Sequence, residues 1–271
     1  MSEPDRRIWR PLTEGGDVLV LAVDFEPARG EASFTDLAPE LARDGLRILE
    51  IRPGAVPRTS PAWDQTPEAY LTPWLDELGA AARKVHAVLG HCAGAGLASA
   101  LTGRLADDGP RPVLVALDPE VPDASELRRA YTTAIDSLAP QLDQQAQAEA
   151  YAPASAPDAD ADAGTGGLGT LAASLDAAYR TACTTACAAL GVPETFRRQL
   201  EHRFTSYLEY LVAAARGAAT APAEPGLTVL SGTSRAALPA PPRGHRHAGP
   251  GAALLADRTV ADLVRTSLRR P

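Results

Sequence analysis

The sequence predicts a parallel α/β sheet interrupted by a long helical insertion. Three observations predict it. Val18–Val23 is a continuous apolar run, the pattern of a strand buried on both faces, Pro112–Leu117 reads as another buried strand, and Leu46–Ile51 reads as the strand between them in sequence. Helical spacings alternate with them, which calls for right-handed crossovers. Residues 119–225 then hold no convincing strand.

Residues 1–16 are polar and read as a loose lead-in. Ser33 can cap a helix to about Arg43, with Phe34, Leu37 and Leu41 on one face and Gly45 as its stop. Pro53-Gly54 closes the second strand. Thr72-Pro73 reads as a helix start, a capping hydroxyl before a first-turn proline. A short strand, His86–Leu89, then runs into a Gly/Ala-rich turn and a small-residue helix to about Ala106. Asp123 caps a helix near Ser125–Leu138. Residues 151–170 are low-complexity Ala, Pro, Asp and Gly and read as a loop. Leu171, Leu175, Tyr179, Cys183, Cys187 and Leu190 step along one helix face; Phe196, Leu200, Phe204, Tyr207 and Leu211 do the same on the next. Leu227–Leu230 resumes the sheet, and a last helix runs from about Asp257 to Leu268. The core is therefore expected at 1–118 and 226–271, and the insertion at 119–225.

Composition narrows the function. Apolar residues make up 45% of the 271-residue chain, enough for a substantial core. Twenty-six basic residues against 34 acidic ones give a net charge of −8, which argues against a broad nucleic-acid-binding face. The apolar runs are too short to span a bilayer, and Met1–Arg7 lacks the apolar segment of a signal peptide. Three cysteines make a disulfide framework unexpected. A cytoplasmic protein is expected, with no membrane partner. Cys183 and Cys187 lack further ligands nearby, so no metal site is expected.

The chemistry concentrates at Gly90-His91-Cys92-Ala93-Gly94, a G-x-nucleophile-x-G pattern between strand and helix. A nucleophile in such a tight turn needs small neighbours two residues away. The helix start offers the Ala93 N–H to a developing oxyanion. Cysteine stands where serine is usual, and a thiolate is the better nucleophile near neutral pH. Asp118 ends the next strand, where an acid can orient a histidine. That histidine must follow the last strand, so His245 and His247 are the candidates, His245 slightly favoured. By position, Phe25 or Glu26 would supply the second oxyanion N–H. Tyr179, Phe196, Phe204 and Tyr207 are candidates to line a substrate chamber. The Arg128-Arg129 and Arg197-Arg198 pairs read as solvated helix faces, or as a docking patch for an acidic carrier protein.

The elbow, the Val-Ala-Leu-Asp-Pro segment ending on Asp118, the insertion and the late histidine together resemble the thioesterase branch of the α/β-hydrolases of polyketide and nonribosomal peptide pathways. The resemblance implies an α/β-hydrolase fold with a helical lid, a mostly parallel sheet and helices on both faces. It implies a Cys92-Asp118-His triad and a substrate delivered on the phosphopantetheine of an acyl or peptidyl carrier protein of a hybrid synthase, with no other cofactor. Two departures stand out: the cysteine nucleophile, and Gly249-Pro250-Gly251 where the family usually has an aromatic or aliphatic segment. A cysteine-dependent, lid-bearing chain is most similar to the Dieckmann cyclases that form tetramate or pyridone rings in antibiotic biosynthesis. A hydrolytic editing thioesterase, a lactone- or macrocycle-forming release enzyme and a catalytically decayed acyl-binding protein are the alternatives.

Overall fold

A computed structural model describes residues 7–25, 31–55, 63–155, 164–220, 224–234 and 244–269. In chain order the elements are β1 (Trp9–Pro11), β2 (Val18–Val23), α1 (Phe34–Ala42), β3 (Leu46–Ile51), α2 (Pro67–Leu78), β4 (Val85–His91), α3 (Gly94–Asp107) and β5 (Val113–Leu117). There follow α4 (Ala124–Leu138), α5 (Gln144–Ser155), α6 (Gly164–Leu190), α7 (Glu194–Ala219), β6 (Leu227–Leu230), β7 (Gly244–Arg246) and α8 (Arg258–Leu268). The described residues fall into two compact units. The first draws on Met1–Val56, Thr66–Val121 and Arg216–Pro271, the second on Pro57–Gln65 and Pro122–Ala215. The second unit's longer span thus begins at Pro122 and ends inside α7.

The first unit is a seven-stranded sheet in the order β1-β3-β2-β4-β5-β6-β7. Only β1 is antiparallel, to β3; the other neighbours run parallel. Val20, Ala22, Ile48, Leu89, Val115, Leu117 and Val229 pack with α1 and α8 on one face. Gly90, offset by one residue from Leu89, faces α3 on the other. Both faces are covered, which is why these strands read as apolar runs without alternation. This order, with the sharp turn after β4, is the α/β-hydrolase fold.

Caps account for most helix starts. Ser33 and Asp36 form a capping box on α1. Asp123 accepts from the Glu126 N–H at 3.0 Å, and Asp257 accepts from the Thr259 N–H at 2.7 Å. The start expected at Thr72 is corrected: α2 begins at Pro67, capped by Thr66, so the same Thr-Pro signal occurs six residues earlier and wins. Pro73 then lies inside the helix, and the Thr72 hydroxyl donates to the Glu68 carbonyl at 2.9 Å.

The loose lead-in is also corrected, because β1 occupies part of it. Glu77 accepts from the Ile8 and Trp9 N–H groups, each at 2.9 Å. The Trp9 indole donates to the Trp74 carbonyl at 2.9 Å and meets the Trp74 ring edge-to-face.

The second unit is helical. Tyr131, Ile135, Leu175, Tyr179, Phe204 and Leu208 are buried in it. The low-complexity loop shrinks: Tyr151–Ser155 closes α5, and α6 already runs from Gly164. Residues 156–163 lie outside the described residues. Alanine is the best helix former, and the buried Leu168, Ala172 and Leu175 give this end of α6 an apolar stripe. Asp176 and Glu201 are buried too. Arg180 donates to Asp176 at 2.8 Å and to the Thr205 hydroxyl at 2.7 Å, tying α6 to α7. No helix among the described residues is long and apolar enough to cross a membrane.

Candidate active site

The elbow forms where β4 meets α3. Cys92 has φ +49°, a left-handed conformation unusual for a side chain with a Cβ. Its N–H donates to the Leu117 carbonyl at 2.9 Å, and its carbonyl accepts from Ala95 N–H at 3.1 Å. The chain can turn this tightly because Gly90 lacks a side chain. A Cβ there would sit 2.6 Å from the Ala95 Cα and 2.6 Å from the Ala98 Cβ. We expect Gly90→Ala to force β4 and α3 apart and cost about 3 kcal/mol, the upper end of overpacking effects. Thermal unfolding checks this: the midpoint should fall by roughly 6–12 °C. Gly103→Ala is the control. It lies in the same helix with nothing within 4 Å of an added Cβ, and should not lower the midpoint.

Asp118 stands beside Cys92. The register pairs His91 with Leu117, so the next residues, Cys92 and Asp118, leave adjacent strand ends together. Asp118 is also left-handed, at φ +47°. Its N–H donates to the Val229 carbonyl at 2.7 Å, and its Oδ1 accepts from the Ser231 N–H at 3.1 Å.

The two late histidines differ in their place along β7. His245 lies within β7, paired with Val229. His247 is the first residue past the C-terminal end of β7, and its N–H donates to the Leu230 carbonyl at 2.8 Å. Its Nε2 is 3.7 Å from Asp257 Oδ2 and packs over Gly249. Asp118 Oδ2 packs over Gly251. The Gly249-Pro250-Gly251 turn therefore meets both groups, and it tolerates them because neither glycine has a Cβ. Among the described residues neither histidine bonds to Asp118 or Cys92.

The predicted oxyanion donors are placed unevenly. Ala93 caps α3, and its N–H approaches the Cys92 sulfur. The Phe25 N–H already donates to Asp24 Oδ1 at 2.8 Å. Glu26 lies outside the described residues.

Three groups escaped sequence reasoning. Asp24 directly follows β2, and its Oδ2 lies 2.8 Å from His91 Nδ1. Burial pushes the His91 imidazole down, but Asp24 more than offsets this and holds it above its ordinary range. Asp24 itself is raised by burial, which its bonds from His91 and Phe25 only partly offset. The third is Glu120, whose Oε2 accepts from the Cys92 thiol at 3.6 Å. Burial, and then the Glu120 charge, push the Cys92 thiol up to about 12. These surroundings favour the neutral thiol over the thiolate. A carboxylate two residues past Asp118 was the available sequence signal.

The four chamber candidates differ in exposure. Tyr179 and Phe204 are buried against each other, ring centroids 4.2 Å apart. Phe196 is 49% exposed on the first turn of α7. Tyr207 is half-buried. Tyr179 and Phe204 thus fill the unit's own interior. Three of the four arginines bond acidic side chains of their own helix: Arg197 bonds Glu194 and Glu201, Arg198 bonds Glu194, and Arg129 bonds Glu126.

Neither a protein-family model nor a curated protein sequence matches this chain. Among solved structures it is similar to the Vlm2 thioesterase domain with genetically encoded 2,3-diaminopropionic acid, bound with a dodecadepsipeptide. There the identity is 18%, the coverage 97% of this chain and 98% of that one, and the TM-score 0.46. An α/β-hydrolase fold protein from Nakamurella multipartita is 17% identical, with 96% of each chain covered and a TM-score of 0.36. An acetylester hydrolase from Corynebacterium glutamicum is 11% identical, with 94% of this chain and 85% of that one covered and a TM-score of 0.40.

Proposed function

We propose that this protein is a thioesterase-like release enzyme. It takes a β-ketoacyl-aminoacyl chain from a carrier-protein thioester onto Cys92 and closes it by Dieckmann C–C bond formation to a tetramate or pyridone. The observation that carries this reading is a cysteine at the strained strand-to-helix elbow, with Asp118 leaving the neighbouring strand end.

A neutral thiol needs a base during attack, and His247 is assigned that part. As the Cys92 sulfur adds to the acyl carbonyl, its proton passes to the imidazole. The tetrahedral oxyanion is met by the Ala93 N–H at the start of α3. Collapse breaks the C–S bond to phosphopantetheine, and the departing sulfur takes the proton from the imidazolium. The enzyme-bound acyl group remains a thioester, so its carbonyl stays electrophilic toward carbon. The carbon between the two carbonyls of the β-keto amide gives its proton to the His247 imidazole, neutral again by then, and attacks that thioester carbonyl. Ring closure expels Cys92, which regains a proton. A serine ester would be the poorer electrophile for the carbon attack, which gives the Ser-to-Cys exchange a chemical purpose.

Product mass tests the reading. The full chain is incubated with a carrier-bound β-ketoacyl-aminoacyl thioester. The expected product is lighter than the free acid by one water. Free acid alone makes the protein an editing thioesterase, and untouched substrate makes it an acyl-binding protein.

A further inference from the structure

We infer that Glu120 is a positioning residue for Cys92, its carboxylate fixing the direction of the thiol and keeping the proton on sulfur until an acyl group arrives. The inference rests on Cys92 being the nucleophile. Two bonds hold Glu120 over the elbow. Its backbone N–H donates to the Cys92 carbonyl at 3.3 Å, and its Oε2 accepts from the sulfur at 3.6 Å. The first anchors the segment after β5 to the turn, which brings the Glu120 side chain within reach of the sulfur.

The surroundings explain why the proton stays. From the end of β2 comes Asp24, bonded to His91 of β4. From beyond β5 come Asp118 and Glu120. Among the described residues no cation pairs with Glu120, so its charge acts on the thiol. A carboxylate is a far weaker base than a thiolate, so the shared proton belongs to sulfur. Glu120 is therefore not the acceptor during attack; it suppresses premature ionisation. The elbow then works as a serine hydrolase does, with deprotonation coupled to attack, and differs from enzymes that store a thiolate–imidazolium pair. Slow alkylation of Cys92 at neutral pH is consequently a property of a competent site.

The test is the pH profile of Cys92 alkylation by iodoacetamide in the full chain, read on the Cys92 peptide by mass spectrometry. The buried Cys183 and Cys187 report on separate residues of the same digest. Glu120→Gln should raise the rate near neutral pH by about tenfold and shift the profile down by about one pH unit. Glu120→Asp should keep the slow rate. A rise below threefold in Glu120→Gln overturns the inference, and so does Glu120→Asp reacting as fast as Glu120→Gln. Glu120 is exposed, so both variants should melt as the parent does. Alkylation needs no substrate. Loss of the proposed acyl transfer chemistry would therefore show in the product assay, separately from any failure here.

Discussion

Cys92→Ala is expected to lower acyl transfer from a carrier thioester by about 10⁴-fold or more, the scale seen when a covalent nucleophile is removed. That corresponds to at least about 5.5 kcal/mol of barrier. The fold should be indifferent to the change. Alanine bears the same Cβ at the same positive φ, and the bonds that fix the elbow are made by the Cys92 N–H and carbonyl. Single-turnover transfer, followed by intact-protein mass, gives the measurement. Full turnover by the variant would remove Cys92 from the chemistry altogether. Cys92→Ser is the sharper companion. A hydroxyl at the elbow can still accept the acyl group with a base nearby, but the ester resists attack by carbon. Cys92→Ser should therefore accumulate acyl-enzyme and yield little ring product. Rapid cyclisation by Cys92→Ser would mean that the thioester is not what the second step requires.

Much of the sheet and the backbone of the elbow was legible in the sequence because local rules fix them. The apolar runs of β2, β3 and β6 have no competing helical period. Ser33, Asp123 and Asp257 mark helix starts by bonds closed within three residues. The Gly-x-Cys-x-Gly pattern is itself a local steric demand. What was not legible depends on distant partners. β1 is held by Glu77 and Trp74, and nothing in Ile8–Pro11 announces them. β7 is three residues, Gly-His-Arg, whose strand character comes from register against β6. The Asp24–His91 bond spans 67 positions. The tilt of the Cys92 environment toward a neutral thiol required knowing that Glu120 folds back over the elbow. Alanine-rich composition misled in the other direction, since low complexity hid the ends of α5 and α6.

His247→Ala is expected to lower acyl transfer by about 10³-fold or more, within the range for loss of a general base, whereas His245→Ala should stay within about threefold of the parent. The sheet supplies the reason. β4, β5 and β7 run parallel, so their C-terminal ends share one edge, where ligands meet such sheets. Cys92 and Asp118 leave that edge directly, and His247 leaves it one residue past β7. His245 sits two residues earlier, inside the ladder. Two strand spacings, roughly 10 Å, separate the β5 and β7 backbones, a gap that facing Asp and His side chains can close. The competing carboxylate is Asp257, at 3.7 Å from His247 Nε2. Asparagine also caps helices well, so Asp257→Asn should leave α8 intact and test orientation alone. If Asp118 orients the base, Asp118→Asn costs far more activity than Asp257→Asn. The reverse order would assign the orienting carboxylate to the start of α8. It would also give Asp118, with its left-handed backbone and its bond from Ser231, a structural part in holding the ends of β5 and β6 together.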